Sequence, residues 1–196
     1  MRHTIVIVGR SEWLTTHIAE LHTLVELFLT IGINNINPDF EPTYTIVADD
    51  PEPVIKNIID NNLKTTILTG FYNFRLVPPN IPMQGFQYET LNKNFKWNIN
   101  DNILPYCGFT HDLAIAYCIK KGFTDILLFG ACDFTSQHYD NSDKFKYSQK
   151  LRDNSLYFIE NICTKYSNIY TMNPESNLQV PHITMKEAYE RYYGKR

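Results

Sequence analysis

Apolar residues in this chain gather into short β-branched runs that alternate with amphipathic stretches. His3–Val8 reads as a central strand and runs straight into Gly9-Arg10-Ser11. Thr15–Leu29 has helical spacing, with Ile18, Leu21, Val25 and Phe28 on one face. Within Thr30–Ile36, Gly32 and Ile33 form a short strand that ends at Asn34-Asn35. Tyr44–Ala48 is a buried-strand run ending in Asp49-Asp50-Pro51, followed by a helix over Glu52–Asn62 and a short strand at Thr65–Leu68. Leu113, Ala114, Ala116, Tyr117 and Ile119 recur with helical period. Thr110 is placed to cap that helix, Lys120 and Lys121 complement its dipole, and Gly122 suits its C-terminal cap. Ile126–Phe129 is a further buried strand, ending in Gly130-Ala-Cys-Asp133. A long amphipathic helix is expected over Lys144–Ser167, with Leu151, Leu156, Phe158, Ile159 and Ile162 inward, then a strand at Ile169–Met172. Thr184 opens a last helix in which Met185, Ala188 and Tyr189 pack.

Strands alternating with helices predict an α/β fold: Rossmann-like, a mostly parallel sheet with helices on both faces. Residues 71–104 break the rhythm. They hold Phe71, Tyr72, Phe74, Phe86, Tyr88, Phe95 and Trp97, three prolines and no helical period. This is an irregular aromatic-rich insertion of loops and short strands, lid-like in character. Its rings can stack on a sugar or base or pack against the domain, and they would serve as the interface of a homo-oligomer. At 196 residues the chain is expected to be one domain, a single nucleotide-binding unit over 1–196.

Charge narrows the partners. The net charge is −3 and the only basic run is the Gly-Lys-Arg tail, so an extended nucleic-acid surface is not expected, although a single nucleotide is. No apolar segment approaches the roughly 20 residues that span a bilayer. Met1–Arg10 reads as a strand and not as a signal peptide. Cys107, Cys118, Cys132 and Cys163 are widely spaced, without a Cys-x-x-Cys pair, which reads as buried thiols in a reducing, cytoplasmic setting.

Open α/β sheets bind ligands along the carboxyl edge of their strands. On that edge fall Gly9-Arg10-Ser11, Asn34-Asn35, Asp49-Asp50 and Asp133. The helix start at Gly108–Thr110 offers backbone N–H groups to an anion. Each feature has a plain counterpart: a strand-to-helix turn at Gly9, turn formation by the Asn pair, and helix capping by Asp49 or Asp50. No Gly-x-Gly-x-x-Gly, no Gly-Lys-Ser/Thr and no Gly-x-Ser-x-Gly is present.

The run Gly108-x-Thr110, Ala114-x-Ala116, Lys121-Gly122-Phe-x-Asp-Ile126-x-Leu-x-Gly130-x-x-Asp133-Phe134 resembles the core of bacterial lipooligosaccharide sialyltransferases. It also resembles the motility-associated transferase-like proteins and the archaeal-type hydroxymethyl-dihydropterin pyrophosphokinases. Gly9-Arg10-Ser11 looks like their Gly-x-x-Pro-Ser nucleotide turn, and Gly32-Ile-Asn34-Asn35 like their strand ending in a nucleotide-touching asparagine. The Tyr44–Asp49 strand follows in matching order. There are departures: the first turn has no Asn-Gly pair and no Pro, Gly-Phe-Thr stands for Thr-Ser-Gly, and the Asp133 strand end is one residue longer than Gly-x-Asp.

The resemblance implies sugar transfer from an activated nucleotide donor to a hydroxyl acceptor, without a required metal or other cofactor. Gly9, Arg10, Ser11, Asn34, Asn35, Asp49, Gly108, Thr110 and Asp133 would bind the nucleotide. Tyr139 would hold the leaving phosphate, and His138, His182 or His111 would take the acceptor's proton. Two alternatives stand beside it. In one, Asp49, Asp50 and Asp133 hold Mg²⁺ for diphosphate transfer from ATP. In the other, the protein binds a nucleotide without turnover.

Overall fold

The computed structural model describes residues 4–34, 40–90, 97–133 and 149–193. Among them, eight strands form one sheet: β1 (Thr4–Val8), β2 (Leu29–Ile33), β3 (Tyr44–Val47), β4 (Thr66–Gly70), β5 (Met83–Thr90), β6 (Ile103–Tyr106), β7 (Asp125–Phe129) and β8 (Asn168–Thr171). Their order is β6-β5-β4-β3-β2-β1-β7-β8 and every pairing is parallel. Parallel strands need crossovers, and helices supply most of them here: α1 (Ile18–Leu27), α2 (Glu52–Asp60), α3 (Thr110–Lys120) and α4 (Gln149–Tyr157), with α5 (Met185–Tyr192) at the end.

Side-chain alternation sorts the core onto two faces. Ile5 and Ile7 of β1 face α3 and the Phe158–Ile159 turn, whereas Val6 and Val8 face Leu21 and Leu24 of α1 and Ala188 of α5. Val47 and Ile67 join Val54, Ile55 and Ile58 of α2 in a third cluster, on the side away from α3. The helices therefore cover both faces, as the alternating pattern predicts. All five residues of β7 are buried, which is why its sequence is an unbroken apolar run after Asp125.

Several boundaries differ from the expectation. The helix read as Thr15–Leu29 is a 3₁₀ turn at Glu12–Thr16 followed by α1, and Leu29 already pairs with Ile5 in the sheet. No Gly or Pro marks that stop, so apolar periodicity alone runs past it. Thr110 does not cap α3. Phe109 is the N-cap residue, and the carboxyl of Asp112, three residues on, approaches its backbone N–H. The helix expected over Lys144–Ser167 is described from Gln149 and changes to a π-helical turn at Phe158–Ile162 and a 3₁₀ turn at Cys163–Lys165. The short strands within 71–104 are not a separate flap: β5 and β6 extend the same sheet. Only Phe86 of β5 is buried, which is why no strand pattern shows. Thr184 does open α5, in a reciprocal cap with Glu187.

Two glycines carry different burdens. A Cβ on Gly9 would lie 2.1 Å from the carbonyl oxygen of Gly130, whereas one on Gly122 would meet open space at φ +81°. Gly9→Ala should therefore cost about 3 kcal/mol or more in urea unfolding, since backbone must move. Gly122→Ala should cost only about 1 kcal/mol, the backbone penalty alone.

Candidate functional site at the carboxyl edge of the sheet

From β1 the chain proceeds to β2 on one side, and β7 later inserts on the other. This topological switch opens a crevice outside the carboxyl ends of β1 and β7. The two turns there are tied together. Gly9 N–H donates to the Phe129 carbonyl at 3.0 Å and Ser11 N–H to the Gly130 carbonyl at 3.1 Å. Gly130 and Cys132 both adopt left-handed φ, at 61° and 62°, and the turn they make brings Asp133 back over Ser11. For Cys132 this conformation costs on the order of 1 kcal/mol or more.

Asp133 is only 3% exposed. Burial raises its pKa above the ordinary carboxylate value; the nearby Asn173 amide and the Ser11 and Ser176 hydroxyls offset this in part. These groups approach without completing a hydrogen bond: both Asp133 oxygens and the Ser11 hydroxyl are buried and unsatisfied. Each such atom costs about 1–3 kcal/mol. Asn173 and Ser176 were not read from the sequence as site residues. The signal available was a strand ending at Asn173-Pro174, a carboxyl-edge position like those of Asn34 and Asp49.

Asn34 belongs to the same rim. Val8 lies opposite Gly32, which sets Asn34 level with Arg10 on the neighbouring strand. Its N–H bonds the Ile46 carbonyl at 2.9 Å and its φ of 55° turns the chain at the strand end. Asn35, His138 and Tyr139 lie outside the described residues. Asp49 is exposed at the end of β3, three strands from β7, so roughly 14 Å of sheet separates it from Asp133. Asp50 accepts the Glu52 N–H at 3.0 Å, as a helix-start residue. Asp49 and Asp50 thus do not converge with Asp133 on one ion. Among the described residues no group of three or more His, Cys, Asp or Glu side chains could hold a metal.

His182 sits on the far flank. It pairs with Thr171 in a parallel bridge outside β8, and its Nε2 lies 3.3 Å from the Met172 carbonyl. It is exposed and two strand spacings from β7. A cavity of about 430 Å³ bordered by Lys64, Thr65, Asn80 and Pro82 opens at the amino end of β4, the opposite edge from the rim.

Behind the Gly130–Asp133 turn lies a second buried carboxyl. Asp112, in the first turn of α3, is 0% exposed. The Ser155 hydroxyl donates to its Oδ1 at 2.5 Å, the Phe109 N–H and the Cys107 N–H and thiol lie close enough to temper its pKa, and its Oδ2 is buried and unsatisfied. The helix start that the sequence offered to an external anion therefore holds an internal one. Gly108, at φ 109°, is roofed by Leu151, and Thr110 is buried. His111 stacks on Phe109 and places Nε2 3.0 Å from Ser155 Oγ. When Asp112 is ionised the serine's only proton goes to it, and His111 Nε2 is then the donor to Ser155. Serine lies between histidine and aspartate, which is not the order of a nucleophilic triad.

No protein-family model and no curated protein matches this chain. A solved structure does. The fold is similar to that of the MAf glycosyltransferase from Magnetospirillum magneticum AMB-1, with a TM-score of 0.70 at 10% identity. The likeness covers 95% of this chain and 34% of that one, so the chain spans about a third of that glycosyltransferase's length. At such identity the likeness is one of fold: a Rossmann-like α/β sheet shared with a glycosyltransferase. Among the described residues no helix is long and apolar enough to cross a membrane.

Burial lifts the pKa of Asp112 to about 7 from an ordinary 3.8, against the pull of its hydrogen-bond donors. Between those values the folded chain holds a proton that the unfolded chain has lost, so stability falls as pH rises from about 4 through about 7. Asp112→Asn keeps an acceptor for Ser155 and removes the titration. Its melting temperature should fall less than the wild type's between pH 5 and pH 8, a difference on the order of a few kcal/mol in urea unfolding.

Proposed function

We propose that this protein is a glycosyltransferase-like enzyme that moves a sugar from an activated nucleotide donor to a hydroxyl acceptor. What carries the reading is the approach of Ser11 to Asp133, with Asn34 on the neighbouring strand end, along the switch-point rim of a sheet shaped like that of a glycosyltransferase. In this reading Gly9, Arg10, Ser11, Asn34, Asn35 and Asp133 bind or border the nucleotide, whereas Gly108 and Thr110, covered by Leu151 and buried, serve the scaffold. The unfilled oxygens of Asp133 and the Ser11 hydroxyl are the groups with hydrogen-bonding capacity to spare. As the sugar's bond to the nucleotide breaks, charge grows on the leaving phosphate, and donors aimed at it lower the barrier. Tyr139 is proposed for that task. His138 and His182 are the proposed bases for the acceptor hydroxyl. The four buried thiols suit a reducing, cytoplasmic setting.

Diphosphate transfer through Mg²⁺ is less well supported, because Asp49 and Asp50 stand apart from Asp133. A nucleotide-binding protein without turnover keeps one specific support: the enclosure of Ser11 and Asp133 away from water.

Thermal-shift screening against nucleotides and nucleotide sugars tests binding. At a hundredfold excess over Kd, a true ligand should raise the melting temperature by about 5–10 °C. Ser11→Ala and Asn34→Ala should reduce that shift. Sugar transfer should persist in EDTA, and replacing the true base, His138→Ala or His182→Ala, should cut turnover about 10²–10⁴-fold without loss of nucleotide binding. A panel in which no nucleotide moves the transition would end the reading.

A further inference from the structure

A second feature of the carboxyl edge lies on the other side of Asn34. Gly70 ends β4, and the 3₁₀ turn at Phe71–Leu76 lifts Tyr72 onto the rim with 59% of its surface exposed. This ring is held in place. Tyr88 meets its edge at 5.7 Å and 62°, and the Tyr88 hydroxyl is anchored on the Ala48 carbonyl at 3.1 Å. Tyr106 braces Tyr88 from behind at 5.3 Å. A Cβ on Gly70 would come within 3.0 Å of the Tyr72 ring and 3.1 Å of Tyr88, so the glycine is what lets both rings seat.

The carboxylate of Asp49 stands beside this platform. Val47 pairs with Thr69 in the sheet, so Asp49 leaves β3 beside the 3₁₀ turn that begins at Phe71. Asn73 fixes that backbone by donating to the Asp49 carbonyl at 2.9 Å and the Thr69 hydroxyl at 3.1 Å. Burial and the charge of Asp49 both raise the pKa of Tyr72, so its hydroxyl remains a donor. Asp49 is exposed, and its carboxylate makes no hydrogen bond or ion pair among the described residues.

From this geometry we propose that Tyr72 and Asp49 form a binding subsite for a neutral saccharide, the acceptor in transfer. A sugar ring offers a face of C–H groups and a rim of hydroxyls. A fixed, exposed aromatic face takes the first, while the carboxylate and the phenol take the second. The adjacent negative charges of Asp49 and Asp50 disfavour a phosphate here, which separates this subsite from the nucleotide crevice at β1 and β7, two to three strands away. The designation as acceptor rests on the transfer reading above; the saccharide subsite itself does not.

The test uses saturation-transfer NMR with a panel of neutral methyl glycosides, alongside the nucleotide thermal shift. At least one glycoside should bind the wild type, and about tenfold more weakly to Tyr72→Ala and Gly70→Ala, with Tyr72→Phe retaining most of the affinity. The nucleotide shift should be unchanged in Tyr72→Ala, whose exposed position keeps folding out of question. Absence of any glycoside binding, binding indifferent to Tyr72, or loss of the nucleotide shift in Tyr72→Ala would each overturn the subsite; the last would assign the ring to a nucleobase. Tyr72-dependent glycoside binding without any nucleotide binding would sustain the subsite and remove its role as acceptor site.

Discussion

The structure depends on how closely the main chain leaving β1 approaches the main chain leaving β7. The two strands are in register over five residues, and beyond them Gly9 lies so near Gly130 and Ala131 that no side chain fits between. Two backbone hydrogen bonds lock the contact. Everything at the rim follows from it. Ser11 is delivered beside Gly130, the left-handed pair Gly130 and Cys132 reverses the chain, and Asp133 is folded back into the gap that a wider separation would have left to water. The crevice of an open α/β sheet is usually described by strand order, but here its depth is set by the absence of one Cβ.

Two buried carboxyls flank that turn and illustrate different solutions to one problem. Taking a carboxylate out of water is costly unless donors replace the water. Asp112 takes the Ser155 hydroxyl on one oxygen, which ties the start of α3 to α4, and leaves its other oxygen unsatisfied. Asp133 is surrounded by polar groups that fall short of bonding either oxygen. The first carboxyl joins two helices; the second stands at the rim with both oxygens unfilled.

How much of this could be read beforehand varied with the physics involved. Strands with a continuous β-branched or apolar run, such as Val6 to Val8 or Ile126 to Phe129, were plain because burial on both faces leaves no polar positions. The strand-end residues Ser11, Asn34 and Asp133 were legible as a set because in a parallel sheet every carboxyl end lies on one edge. Strand β5 and the edge strand β6 were not, since β5 buries only Phe86 and β6 is four residues long, too few for a period to show. Propensity favours the Thr110 hydroxyl as the cap of α3, whereas Phe109 occupies the N-cap position and the carboxyl of Asp112 approaches its N–H, a contact that depends on how the fold buries both side chains. Nor does local sequence reveal that Asn173 and Ser176 would stand over Asp133, a meeting made by β7 and β8 pairing across a long crossover.

The four cysteines have a further meaning. Cys107, Cys118, Cys132 and Cys163 are all unpaired and buried, and burial drives each toward its protonated form. Nucleophilic attack requires the thiolate, so these sulfurs are chemically silent while the sheet stays covered. Two of them, Cys107 and Cys132, border the rim itself. Any breathing that exposes the floor of the crevice must also uncover sulfur, which ties the protein's sensitivity to oxidants and electrophiles to the looseness of its working edge.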